Sequence, residues 1–167
     1  MVIVYQSKTG FTQQYARMLE ESEHLEALTL NEAEQKLSSS TPVFFMGPLS
    51  AGRIVGLARA RRAFSLRGVC GVGMSPPSPE LPDQLRQGNQ LGELPVFYLQ
   101  GGWAPEKVNP ITRSMVSLVT RSTRKALQAK GSSRTAQEDA MLDMLLHGGS
   151  LVSRDNLALI QIWLSKQ

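Results

Sequence analysis

Val2-Ile3-Val4-Tyr5 opens the chain as an unbroken apolar run, and Ser7-Lys8-Thr9-Gly10-Phe11-Thr12 follows almost at once. The run is β-branched and aromatic, which predicts a buried strand. Beyond it Tyr15, Met18 and Leu19 recur at helical spacing. Leu25 to Leu30 alternates apolar and polar residues, as a strand near a sheet edge does, and Asn31 is placed to cap a short helix. Pro42-Val43-Phe44-Phe45-Met46 predicts a third strand, buried on both faces, that ends in the loop Gly47 to Gly52. A helix from about Ile54 to Ser65 then leads to a fourth strand, Gly68 to Met74. Ser75-Pro76-Pro77-Ser78-Pro79 must be a loop, since proline at that density supports neither a helix nor a central strand. A helix around Glu80 to Gln90 precedes the fifth strand, Pro95 to Leu99, which closes in Gly101-Gly102-Trp103.

Five strands separated by helices imply an α/β fold with a doubly wound parallel sheet, because parallel neighbours need crossovers of that length. The expected strand order is 2-1-3-4-5, with a ligand at the carboxyl ends of strands 1, 3 and 4. Some fifty residues remain before the final helix, about Asp155 to Leu164. They read as a helix near Asn109 to Lys130, a Gly131-Ser132-Ser133 break, and a helix near Thr135 to His147. Ile111, Met115, Leu118 and Val119 form the apolar face of the first, and Met141, Leu142 and Leu145 that of the second. The expected organisation is one domain over residues 1–167, with a helical insertion at about 104–150.

The first loop carries the clearest chemistry. A strand that turns through small hydroxyl residues and one glycine into a helix N-terminus presents unpaired N–H groups and a positive dipole end to an anion. Ser7, Thr9 and Thr12 add hydroxyls, and Gly10 lets the backbone approach closely. Neither the Walker A order nor the Gly-x-Gly-x-x-Gly dinucleotide fingerprint is present. A phosphate site and an ordinary capped turn both fit this loop.

The net charge of +4 hides an uneven distribution. Arginines 53, 59, 61, 62 and 67 occur without an intervening acid, and so do the seven basic residues 107, 113, 121, 124, 125, 130 and 134. Acid-free runs of this kind favour an anionic partner or surface. No aromatic residues interleave with the basic ones as stacking platforms, which argues against nucleic acid. The lone Cys70 sits in an apolar stretch and reads as a core residue. No apolar run approaches the roughly 20 residues of a membrane span, and the N-terminus lacks the pattern of a secretory signal. A cytoplasmic location is expected, with peripheral contact at the inner membrane face. His24 and His147 have no metal-spaced partners and are assigned neither metal nor catalysis.

Ser7-x-Thr9-Gly10-x-Thr12 resembles the phosphate loop of flavodoxins at every specified position. With Gly101-Gly102-Trp103 and the insertion, the chain is similar to bacterial flavodoxin-domain proteins related to oxygen-independent protoporphyrinogen oxidase. The resemblance implies a flavodoxin-like fold and flavin mononucleotide (FMN), its phosphate held by Ser7, Lys8, Thr9, Gly10, Phe11 and Thr12. Pro48, Leu49, Ser50, Ala51 and Gly52 would then border the flavin, with Ser50 and Gly52 at its N5 edge. Ser75 would border the pyrimidine side, and Trp103 would cover the ring or anchor the insertion. The chain departs from the pattern in that neither of these two loops holds an aromatic residue.

The implied function is electron transfer through bound FMN to a redox partner protein or a quinone, and its enzymatic form is a quinone reductase or a protoporphyrinogen oxidase-like enzyme. The alternatives are an electron carrier without a small-molecule substrate and a flavin-free interaction module.

Overall fold

The computed structural model describes residues 1–167, which form two compact units: Met1–Gly101 with Val152–Gln167, and Gly102–Leu151. The first unit is an α/β layer built on a mostly parallel sheet. Its parallel strands are β1 (Val2–Tyr5), β2 (Ala27–Thr29), β3 (Pro42–Ser50), β5 (Ser65–Gly73) and β6 (Val96–Gln100). They lie in the order β2-β1-β3-β5-β6, and the two-residue strand β4 (Arg53–Ile54) pairs antiparallel with β3. The sheet thus has six strands where five were expected.

Alternation along each strand sends side chains to opposite faces, and each face has its own core. Ile3, Tyr5, Phe44, Met46, Cys70 and Val72 point to the side covered by α1 (Phe11–Glu23) and α8 (Ala158–Leu164). Val4, Val43, Phe45 and Val69 point to the other side. There they meet residues of α2 (Leu30–Lys36), α3 (Leu57–Ala63) and α4 (Leu81–Gly88). On the first face Phe44, Phe97 and Trp163 form an aromatic cluster with ring centroids 5.3–5.9 Å apart.

Local chemistry moved several element boundaries. Thr29, not Asn31, caps α2, because Glu32 three residues on completes a reciprocal capping box with it. That ends β2 at Thr29, and Asn31 instead accepts a hydrogen bond from Arg59. Strand β3 runs on through Gly47-Pro48-Leu49 to Ser50, where a loop was expected. It turns at Ala51 and Gly52, with φ of 46° and 76°, into β4. Positive φ at both central residues is what a type I′ two-residue hairpin turn requires.

The inserted unit contains β7 (Gly102–Trp103) paired with β8 (Gly149–Ser150), and the helices α5 (Pro110–Val119), α6 (Arg121–Ala129) and α7 (Ala136–His147). The single helix expected over Asn109 to Lys130 is broken at Thr120, whose hydroxyl donates to the Val116 carbonyl at 2.8 Å. Helix α7 begins with a second capping box, Thr135 with Glu138. Met141, Leu142 and Leu145 are buried as expected, together with Leu127 of α6. The expected burial of the α5 face does not occur. Ile111, Met115, Leu118 and Val119 are 63–76% exposed, and α5 has no fully buried residue. The half-buried side of the helix is Thr112, Val116 and, at its C-cap, Thr120. No helix of the chain is long and apolar enough to cross a membrane.

Candidate functional site

The loop between β1 and α1 leaves the sheet where the chain's course divides, since β2 lies on one side of β1 and β3 on the other. In doubly wound sheets, ligands bind outside the strands' carboxyl ends at such a point. Gly10 occupies the left-handed region, φ 101° and ψ −17°, at the N-cap of α1. A side chain there would be strained, so the glycine is required by the backbone. Its N–H donates to Ser7 Oγ at 3.2 Å, and its carbonyl accepts from Gln14 N–H at 3.0 Å. No side chain caps α1, and its first turn holds no acid. The N–H groups of Phe11, Thr12 and Gln13 are therefore the unsatisfied donors of a 13-residue helix, at its positive dipole end. Ser7 and Thr9 are half-buried and Lys8 is exposed. Thr12 is 1% exposed, so its hydroxyl faces inward.

Several contacts hold this loop against the sheet. Gln6 N–H donates to the Met46 carbonyl at 2.9 Å. Gly101 N–H donates to the Gly73 carbonyl at 2.7 Å. A Cβ on Gly101 would come within 3.2 Å of Phe11 Cβ and 3.0 Å of Val72, so glycine allows β6 to end close beside α1. Tyr15 Oη donates to the Gln100 carbonyl at 2.5 Å and accepts from Asn156 Nδ2 at 2.6 Å. Burial raises the Tyr15 pKa, which keeps the phenol protonated as a donor. At the end of β5, Tyr98 Oη donates to the Ser75 carbonyl at 2.6 Å, and Gln100 Nε2 donates to the Met74 carbonyl at 3.2 Å. The Ser75 loop is thus held by side chains of β6.

The β3–β4 hairpin carries the remaining candidates. Pro48 O accepts from Val55 N–H at 2.9 Å, inside the hairpin ladder. Leu49 lies over Gly71 and Gly73, where an added Cβ would sit 2.9 and 3.0 Å from its methyl carbons. Leu49 therefore packs on β5. Ser50, Ala51 and Gly52 are exposed at the tip.

The Gly52 carbonyl, however, accepts from Asn89 Nδ2 at 3.1 Å, and Asn89 Oδ1 accepts from Ile54 N–H at 2.9 Å. Arg53 also donates to the Gly88 carbonyl. The hairpin is pinned to the end of α4, and the Gly52 oxygen expected to face a flavin already has a partner. Asn89 was hidden in the sequence because its role depends on a strand 35 residues away. Trp103, expected as a ring cover, lies in the inserted unit on β7, in register with Gly149.

A hollow of about 310 Å³ opens beside the loop at the ends of β1 and β2, lined by Gln6, Ser7, Gln13, Thr29, Asn31 and Arg59. Gln6 Oε1 is buried without a hydrogen-bond partner, an acceptor that the sequence did not single out. A buried, unpaired amide oxygen of this kind is costly unless a ligand or water donates to it. Cys70 is fully buried, and burial pushes its thiol pKa far above the ordinary range, so it is not a reactive thiol. No cluster of histidine, cysteine or carboxylate side chains could hold a metal ion.

The basic residues of Arg53 to Arg67 are largely committed to structure. Arg59 pairs with Glu34, Arg61 donates to the Asn89 and Gln90 carbonyls, and Arg53 holds Gly88. Comparison with protein-family models, curated proteins and solved structures found no match.

Proposed function

We propose that this chain is a flavodoxin-like redox protein that binds FMN and passes electrons to a redox partner protein or a quinone. The observation that carries the reading is the uncapped N-terminus of α1, with left-handed Gly10 before it, at the carboxyl end of the strand where the sheet divides. The donor set suits a phosphate monoester: three main-chain N–H groups, the Ser7 and Thr9 hydroxyls, and the Lys8 cation at the rim. No carboxylate in the first turn of α1 opposes the charge. Bound flavin would supply a store for two electrons that can be released singly or as a pair. The chain's own task is to hold the phosphate, orient the ring against the sheet end, and fix the loops around it. Asn89 does the last of these for the hairpin tip, and Tyr98 for the Ser75 loop. A protoporphyrinogen oxidase-like activity is the enzymatic form of this reading.

A second reading, an interaction module without flavin, is favoured by the engaged Gly52 carbonyl. Titration of FMN fluorescence separates the two. Binding to the wild-type chain, weakened in Ser7→Ala with Thr9→Ala while circular dichroism is unchanged, supports the redox protein. Each lost hydrogen bond to the phosphate should cost about 1.5–3 kcal/mol. Absence of FMN binding in the folded wild type supports the interaction module.

A further inference from the structure

The inserted unit keeps one face uncovered. Ile111, Met115, Leu118 and Val119, at spacing i, i+4, i+7 and i+8, form a single stripe along α5 and are 74, 63, 71 and 76% exposed. Four large aliphatic side chains in water on one helix are an unpaired apolar surface, unlike scattered exposed residues. Beside the stripe, Arg113, Arg121 and Arg124 line an open cleft of about 570 Å³ with Ser114, Ser117 and Leu118. Leu118 belongs to both features.

The cleft keeps its positive charge. Elsewhere in the unit Lys130 pairs with Glu138 and Arg134 with Asp139, whereas none of the three cleft arginines has a carboxylate partner. Arg113 donates to the Pro105 carbonyl, and Arg124 Nη2 to the Ser117 carbonyl and hydroxyl. Arg124 Nε is buried and has no acceptor.

An aliphatic stripe bordered by uncompensated arginines matches one kind of surface best. Lipid headgroups offer phosphate oxygens to the arginines, and the acyl boundary accepts the apolar side chains. Nucleic acid would leave the stripe in water, and residues 104–151 contain no Phe, Tyr or Trp to stack on bases. A second copy of the chain would bring another set of unpaired arginines to the same contact. We propose that α5 and the start of α6 form a docking site for an anionic lipid bilayer. Leu118 and its stripe neighbours would enter the acyl boundary, and Arg113, Arg121 and Arg124 would bind headgroup phosphates. The site is independent of the cofactor reading.

Co-sedimentation of the full chain with vesicles tests this. Wild type should bind phosphatidylglycerol–phosphatidylcholine vesicles on the order of tenfold or more tightly than phosphatidylcholine alone, and less tightly at high salt. Arg121→Gln with Arg124→Gln should remove that preference. Ile111→Ser with Leu118→Ser and Val119→Ser should weaken binding at low salt while leaving the circular dichroism spectrum unchanged, since all three side chains are exposed. Equal binding to both vesicle types, binding to neither, or anionic binding untouched by the serine variant would overturn the proposal. So would binding to soluble polyglutamate or RNA as tight as to the vesicles, which would identify an acidic protein or nucleic acid as the partner.

Discussion

Asn89 Nδ2 donates to the carbonyl of Gly52 at 3.1 Å, across 37 residues of chain. The same carboxamide donates to the Leu85 carbonyl at 2.9 Å, and its oxygen accepts from Ile54 N–H at 2.9 Å. One 7%-exposed side chain therefore joins the end of α4 to the β3–β4 hairpin at the carboxyl end of β3. Asn89→Ala leaves the Ile54 N–H without its partner and frees the hairpin. The expected loss is about 1–3 kcal/mol, read as a fall in the urea midpoint. Faster amide exchange at Ile54 should accompany it.

Ala51 holds φ of 46° in the turn that Asn89 anchors. A left-handed conformation costs an alanine roughly 1–2 kcal/mol, part of which glycine returns as extra freedom in the unfolded chain. Ala51→Gly should therefore stabilise the fold by about 0.5–1 kcal/mol in urea titration. Gly10→Ala, at φ 101°, should destabilise it.

The two capping boxes make stability sensitive to acid. Hydrogen bonds from the Thr29 side chain and backbone lower the Glu32 pKa, and Lys130, followed by the Thr135 backbone, lowers that of Glu138. A depressed folded-state pKa gives stability that is present above the ordinary carboxylate value of 4.5 and lost as the pH falls through the folded value. Urea midpoints should drop below that pH. Glu138→Gln, which no longer titrates, should make the drop shallower.

The apolar runs Val2–Tyr5, Pro42–Met46 and Pro95–Leu99 were legible as strands because burial on both faces leaves no other use for them. The glycine-hydroxyl loop was legible because its position after β1 and its composition point to the same turn. The β3–β4 hairpin was not. Gly47-Pro48 looks like an ending, and Ala51 shows no preference for the positive φ that the turn imposes. The Thr29-x-x-Glu32 box was present in the sequence, but Asn31 offered a competing cap. Periodicity put Ile111, Met115, Leu118 and Val119 on one face correctly, yet a period says nothing of whether another element covers that face.

Isothermal titration of the folded wild-type chain with FMN and, separately, with riboflavin tests the central claim most directly. The two ligands share the flavin ring and differ in the phosphate that Gly10 and the first turn of α1 would hold. Loss of two or more charge-assisted hydrogen bonds should make riboflavin weaker than FMN on the order of 100-fold or more. Equal affinity for the two, or binding of neither, would contradict the account.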